Sequence, residues 1–342
     1  MHDRLEGCLK LGAVGDALGY CVEFDRADAI VLEHGQRGIR LAYLLEMEKP
    51  VVSDDTQMTL FTAEGAVGAW TAAGGAASHD DVIRGVSAAY LRWYGTQAGH
   101  PDAPSGIAAL EVMNARRAPG STCLKGCMDG ASGTPARPLN SGDGCGGVMR
   151  VAPLAFLPGV TPEKALVLGA RAAALTHGHP SAWQSAGMLT YIICALGAGA
   201  DLEKAAFAAA RKVGAYGAEG VVSLTRLALD LHRDGGPPSP SVVEHIGGGW
   251  NGREALAIAI YAALASGQDP ERCLEIASFH SGDSDSTASI AGQIVGAALG
   301  WESARQGLPG ACYARLDARQ VIDDVIVGMS ALHEMPCTPS SV

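Results

Sequence analysis

Residues 280–300 read HSGDSDSTASIAGQIVGAALG. An acidic, hydroxyl-rich turn, Asp283-Ser284-Asp285-Ser286-Thr287, runs directly into a segment where Ile290, Ile294 and Val295 recur at helical spacing among Ala and Gly. The same construction occurs far upstream, where Ser53-Asp54-Asp55-Thr56 precedes Met58, Leu60, Phe61 and a run to Trp70. Each cluster therefore reads as the opening of a helix. A capping Ser or Asp accounts for one residue per helix. It does not account for the adjacent pair Asp54-Asp55, nor for a second acid, Asp285, two positions after Asp283. Converging carboxylates repel unless a cation or a proton lies between them. Four carboxylates with hydroxyls, and no His or Cys among them, make the donor set of a hard divalent cation rather than of zinc. This reading predicts that the two clusters meet in one cleft and that zinc substitutes poorly there.

Outward from these two segments, helical periodicity dominates. Leu5, Leu9, Leu11, Val14 and Leu18 form one run, and Val82-Ile83 through Trp93-Tyr94 another. Further helices are expected over Pro162 to Leu175, Pro180 to Leu196, Leu202 to Val213, Val221 to Leu231, Arg253 to Leu264, Glu271 to Phe279, Ser286 to Leu299 and Gln320 to His333. Alternating β-branched stretches of strand length are nearly absent, so the fold class is all-α, a multi-helix bundle. Residues 96–143 differ, with Pro, Gly, Ser and Asp interrupting every period. One short helix, Gly106 to Arg117, is expected inside that loop region. A single domain is expected over 1–335, with 336–342 as a tail, because the acidic clusters must meet across the Arg233–Pro238 turn.

Composition narrows the partners. The chain has 342 residues, 48% hydrophobic and 18% charged, so it can bury a large core; 45 glycines and 5% aromatics suggest helices packed closely through small residues. A formal charge of −11 makes a nucleic acid or an anionic membrane a poor partner for the surface as a whole. Nine scattered cysteines fit reduced thiols rather than a disulfide framework, and Cys123-x-x-x-Cys127 lacks the second pair that a zinc finger needs. Charged residues interrupt the N-terminal apolar run, so it does not read as a signal peptide, and a cytoplasmic protein is expected.

Other segments carry candidate chemistry. Gly12 to Gly19 ends the first helical run with small residues, and Glu23 follows beside Phe24. Gly142-Asp143-Gly144-Cys145-Gly146-Gly147, between Ser141 and Val148-Met149-Arg150, reads as a turn opening an apolar helix. Its backbone N–H groups suit phosphate oxygens, and a plain tight turn fits equally well. Thr176-His177-Gly178-His179-Pro180 supplies two histidines at a helix end, where His often only balances the dipole. His177 could also face a ligand oxygen, and His280 could orient the acidic loop from behind.

In order, GDALGYCVEF, SDDTQMT, GCGGVMRVAPLAF, LTHGHPSAW and HSGDSDSTASIAGQIVGAALG resemble the ADP-ribosylglycohydrolase family over roughly residues 5–300. The resemblance implies an orthogonal all-α bundle with a two-metal centre, two Mg²⁺ or Mn²⁺ ions. The implied activity is hydrolysis of the bond between ADP-ribose and a modified side chain of an ADP-ribosylated protein, arginine foremost, with free ADP-ribose as product. Carried over, it puts Ser53, Asp54 and Asp55 on one metal, Asp283 and Ser286 on the other, and Asp285 between them. Glu23 falls at the mouth, with Asp54, Asp55 and Glu23 as the catalytic candidates. Ser141, Gly144, Gly146, Gly147 and Met149 fall where relatives hold the diphosphate and distal ribose, and His177 where they carry a ligand-facing His. Asp143 departs from what a diphosphate would favour, and residues 96–140 have no counterpart. Cleavage of another ADP-ribose linkage (serine, O-acetyl-ADP-ribose, nucleic acid) and a catalytically silent relative that only binds are the alternatives; the intact acidic residues argue against the second.

Overall fold

The structure, a computed structural model, describes residues 1–99 and 104–335. The 336–342 tail with Cys337, and residues 100–103 of the loop region, lie outside them. In chain order the helices are α1 (His2–Tyr20), α2 (Ala27–His34), α3 (Tyr43–Glu46), α4 (Asp54–Ala72), α5 (His79–Ala98), α6 (Ser121–Met128), α7 (Pro162–Ala174), α8 (Pro180–Gly197), α9 (Leu202–Gly214), α10 (Glu219–Arg233), α11 (Pro240–Ile246), α12 (Gly252–Ala265), α13 (Pro270–Ser278), α14 (Ser284–Leu299), α15 (Trp301–Ala304), α16 (Leu308–Tyr313) and α17 (Arg319–Ala331). Among the described residues there is no strand, only the isolated bridges Thr134–Arg137 and Gly144–Asn251. The all-α expectation is met. No helix among these residues is long and apolar enough to cross a membrane.

Local chemistry explains why the later helices start where they do. Pro162, Pro180, Pro240 and Pro270 stand in the first turn, where a missing N–H costs nothing. Side chains of Thr161, Asp201, Asn251 and Asp269 accept N–H groups of the following turns.

The packing of α1 on α14 decides where the acidic clusters go. The two helices run antiparallel and touch backbone to backbone. A Cβ added at Gly296 would lie 2.0 Å from the Gly7 carbonyl oxygen, and one added at Gly19 would lie 2.1 Å from that of Ser284. No side chain fits in such a seam, so small residues set the register. The end of α1 is thereby fixed beside the start of α14. Helix α4 is tied to the same end, because Asp16 of α1 accepts the backbone N–H of Ser53 (3.0 Å) and of Thr56 (3.0 Å).

Two local expectations fail. The helix foreseen over Gly106 to Arg117 is a 3₁₀ turn, Gly106–Ala109, and the helix of this region is α6, further on. Gly106 has φ 61°, a left-handed start that does not lead into an α-helix, whereas Pro119-Gly120 leads directly into α6. The Gly-rich turn does not open a long apolar helix either. It forms a 3₁₀ turn, Cys145–Gly147, followed by another, Ala152–Phe156, because the Gly146-Gly147 pair and Pro153 prevent a continuous ladder.

Candidate active site

Both acidic clusters line one cleft of about 410 Å³. Asp54 and Asp55 come from the first turn of α4, Asp283, Asp285 and Ser286 from the start of α14, and Glu23 from the turn after α1. The acids sit at the N-terminal ends of α4 and α14, where the helix dipole favours negative charge. Capping is assigned to other atoms. Ser53 Oγ accepts from Asp55 N (3.1 Å), and Asp283 Oδ1 accepts from Ser286 N (3.3 Å).

What remains is a set of carboxylate oxygens with too few partners. Asp54 Oδ2 accepts the N–H of Gly120 (3.2 Å), and Asp285 Oδ1 that of Ser286 (2.8 Å). Among the described residues, Asp55 Oδ2 and Glu23 Oε2 are buried without any hydrogen-bond partner. Burial pushes Glu23 up to about 8, with the charges of Asp283, Asp54 and Asp16 adding to it. Burial also raises Asp54 to about 8, aided by Asp16 and Asp283. Asp55 and Asp285 are pushed well above the carboxylate range, by burial first and then by neighbouring acids. Asp16, the floor of the site, is raised only to about 6 by burial, because donors from Thr56 and Ser53 offset it. Among the described residues no three His, Cys, Asp or Glu side chains stand at ligating geometry. The carboxylates repel one another when charged, and a proton or a cation between them relieves that.

The opposite wall is the 142–147 loop, with Gly142, Asp143, Gly144, Cys145 and Gly146 facing the cleft beside Met149 and His177. Ser141 and Gly147 do not line it; Gly147 packs under the His177 ring, where a Cβ would lie 3.3 Å from Cγ. Ser53 does not line the cleft either; its Oγ is engaged with the Asp55 N–H. His179 caps α8 through Ser181 N (3.2 Å) and is not in the wall. His280 reaches the acidic loop through Thr287, whose hydroxyl it meets at 3.0 Å and which donates to the Asp283 carbonyl (2.9 Å).

Sequence reasoning overlooked several contributors. Cys145 Sγ donates to Asp283 Oδ2 at 2.7 Å, so the expectation of a site without a soft donor is corrected: a thiol stands against the acids. That removes the ground for expecting zinc to be rejected. Asp16 was a visible signal, an acid inside an otherwise apolar, small-residue helix. Ala118 to Cys123, with Ala118 at φ 49°, supplies the wall above Asp54 and had no readable signature. Phe24 and Trp250 sit at the rim, 74% and 49% exposed, with ring centroids 6.2 Å apart and planes 21° from parallel.

Buried acids at two helix N-termini face a glycine-rich loop across one cleft of an all-helical fold. The ADP-ribosylglycohydrolase pattern matches residues 1–339, and the chain belongs to that family, whose members hydrolyse ADP-ribose linkages. Among solved structures, a chain described as an ADP-ribosylglycohydrolase-related protein complex is similar in fold, with a TM-score of 0.64, 23% identity, and coverage of 97% of this chain and 98% of that one. No curated protein matches the sequence.

Proposed function

We propose that this protein hydrolyses the N-glycosidic bond between ADP-ribose and an arginine side chain of a modified protein, using two Mg²⁺ or Mn²⁺ ions. The observation that carries the reading is the pair of buried, unpartnered carboxylate oxygens, Asp55 Oδ2 and Glu23 Oε2, in the same cleft as Asp283 and Asp285. Burying a charge without a partner is expensive, and an all-oxygen set suits a hard cation. Asp54, Asp55, Asp283, Asp285 and Ser286 are the residues to hold the ions. When bound, they would grip ribose hydroxyls and activate water.

The chain's own groups do the rest. Asp54 and Asp55 orient the attacking water at the anomeric carbon. The C–N bond breaks through an oxocarbenium-like state as the C–O bond forms, and the water's proton passes to the carboxylate that orients it, Asp54 or Asp55. Glu23, at the mouth beside Asp54 and Asp283, is the group assigned to give a proton to the departing guanidine. Asp143 lies on the loop wall, so the diphosphate is assigned to the first-turn N–H groups of α6 at Ser121 and Thr122 and to the backbone of Gly144 and Gly146. Phe24 and Trp250 offer flat apolar faces at the mouth to a planar group of the substrate.

The test is to incubate the protein with arginine-, serine- and cysteine-linked ADP-ribosyl substrates, with and without Mg²⁺. Intact ADP-ribose and unmodified arginine are the expected products. Release of AMP, leaving phosphoribosyl-protein, would identify a pyrophosphatase instead, and release only from serine would move the linkage.

A further inference from the structure

Beneath the 142–147 wall lies Arg150, fully buried. Among the described residues its guanidinium meets no carboxylate at hydrogen-bonding distance; it lies 4.2 Å from the Tyr90 ring centroid and points Nη1 at Met58 Sδ (3.4 Å) and Cys123 Sγ (3.5 Å). Its Nη2 donates to Thr176 Oγ1 at 2.6 Å, and the same hydroxyl lies 2.8 Å from Nδ1 of His177. Thr176 and His177 are 0% and 1% exposed.

The hydrogens in this chain of contacts can be counted. A guanidinium only donates, so Thr176 Oγ1 receives from Arg150 and its single hydrogen must find another acceptor. Among the described residues, His177 Nδ1 is the other atom in reach. If Nδ1 carried hydrogen, the hydroxyl hydrogen would be stranded in a dry interior at a cost of about 1–3 kcal/mol. Nδ1 therefore accepts. Burial, and then the charge of Arg150, keeps the ring neutral by holding His177 well below the ordinary histidine range. A neutral ring with Nδ1 bare carries its hydrogen on Nε2. That atom faces the loop: a Cβ at Gly146 would lie 3.4 Å from it, and one at Gly144 3.6 Å.

We propose that Arg150 and Thr176 are positioning residues that lock His177 in the Nε2–H tautomer, making it a fixed donor to a phosphate or hydroxyl oxygen of the ligand beside Gly144 and Gly146. The identity of the ligand rests on the ADP-ribose reading, whereas the tautomer does not. The direct test is a long-range ¹H–¹⁵N NMR spectrum of the ligand-free, histidine-labelled protein, with ADP-ribose affinity measured alongside. Hydrogen on Nε2 throughout pH 6–8 is expected in the wild type. Thr176→Val, of similar shape without the hydroxyl, should give mixed tautomers and weaken ADP-ribose about ten-fold, the worth of one hydrogen bond to a charged group. Thr176→Ser should restore both. Hydrogen on Nδ1 in the wild type overturns the proposal without any variant having to fold. So does a Thr176→Val protein that matches Thr176→Ser in both readouts. An Nε2–H ring in a wild type that binds no ADP-ribose supports the lock and retires the ligand reading.

Discussion

Asp16 and Asp55 are two buried aspartates at the same end of the bundle, and their surroundings are opposite. Asp16 receives backbone N–H groups from Ser53 and Thr56 and the Thr56 hydroxyl, so its charge is spread into the start of α4. Asp55 leaves Oδ2 with no partner among the described residues. The first carboxylate is part of the scaffold; the second is held unsatisfied by that scaffold. Burial alone thus does not mark a functional acid. A missing partner beside other acids in a cleft is what supports the reading of Asp55 as a ligand.

The contrast breaks most sharply under mutation. Asp55→Ala and Asp285→Ala should each cut turnover by about a thousand-fold or more, while the protein stays folded. Asp16→Ala should instead destabilise the fold by about 2–5 kcal/mol, since it strands buried N–H groups, and lose activity only as α4 shifts. Thermal melts beside steady-state rates separate the two; equal stability losses for Asp16→Ala and Asp55→Ala would erase the distinction. Gly19→Leu should match Asp16→Ala in stability loss, because its Cβ would meet the Ser284 carbonyl oxygen.

The pH dependence sharpens the same comparison. Glu23 and Asp54 are raised to about 8, so above the unfolded carboxyl range the folded, metal-free protein holds more protons than the unfolded chain. Its stability should fall as pH rises from about 5 to 8, and Mg²⁺ should flatten that decline by replacing the protons. Identical melting curves against pH with and without Mg²⁺ would contradict this. A smaller effect is expected at the edge of the site: Ser286→Ala should reduce activity less than Asp285→Ala, by about ten-fold, the scale of one neutral donor.

Much of this was legible in the chain. The 3.6-residue period gave the helices, and their starts were sharp because Pro162, Pro180 and Pro270 leave little freedom at N1. The doubled acids at 54–55 and 283/285 stood out because capping uses one residue per helix. The α6 wall was hidden, since Ser121–Met128 has a short, weakly apolar pattern and its placement depends on tertiary contacts such as Asp54 N to Arg117 O (2.9 Å). Cys145 was hidden for another reason: its meeting with Asp283 joins two loops far apart in sequence, each tied to the 248–252 segment, through Cys145 N to Trp250 O (3.1 Å) and Asp283 N to Gly248 O (2.9 Å).

The claim that the unpartnered acids exist to hold cations is tested most directly by counting ions. Metal-stripped protein dialysed against Mn²⁺ should retain two ions per chain, and Asp285→Ala should lose occupancy at both positions. A wild-type protein that retains none, and still releases ADP-ribose at full rate in EDTA, would contradict it.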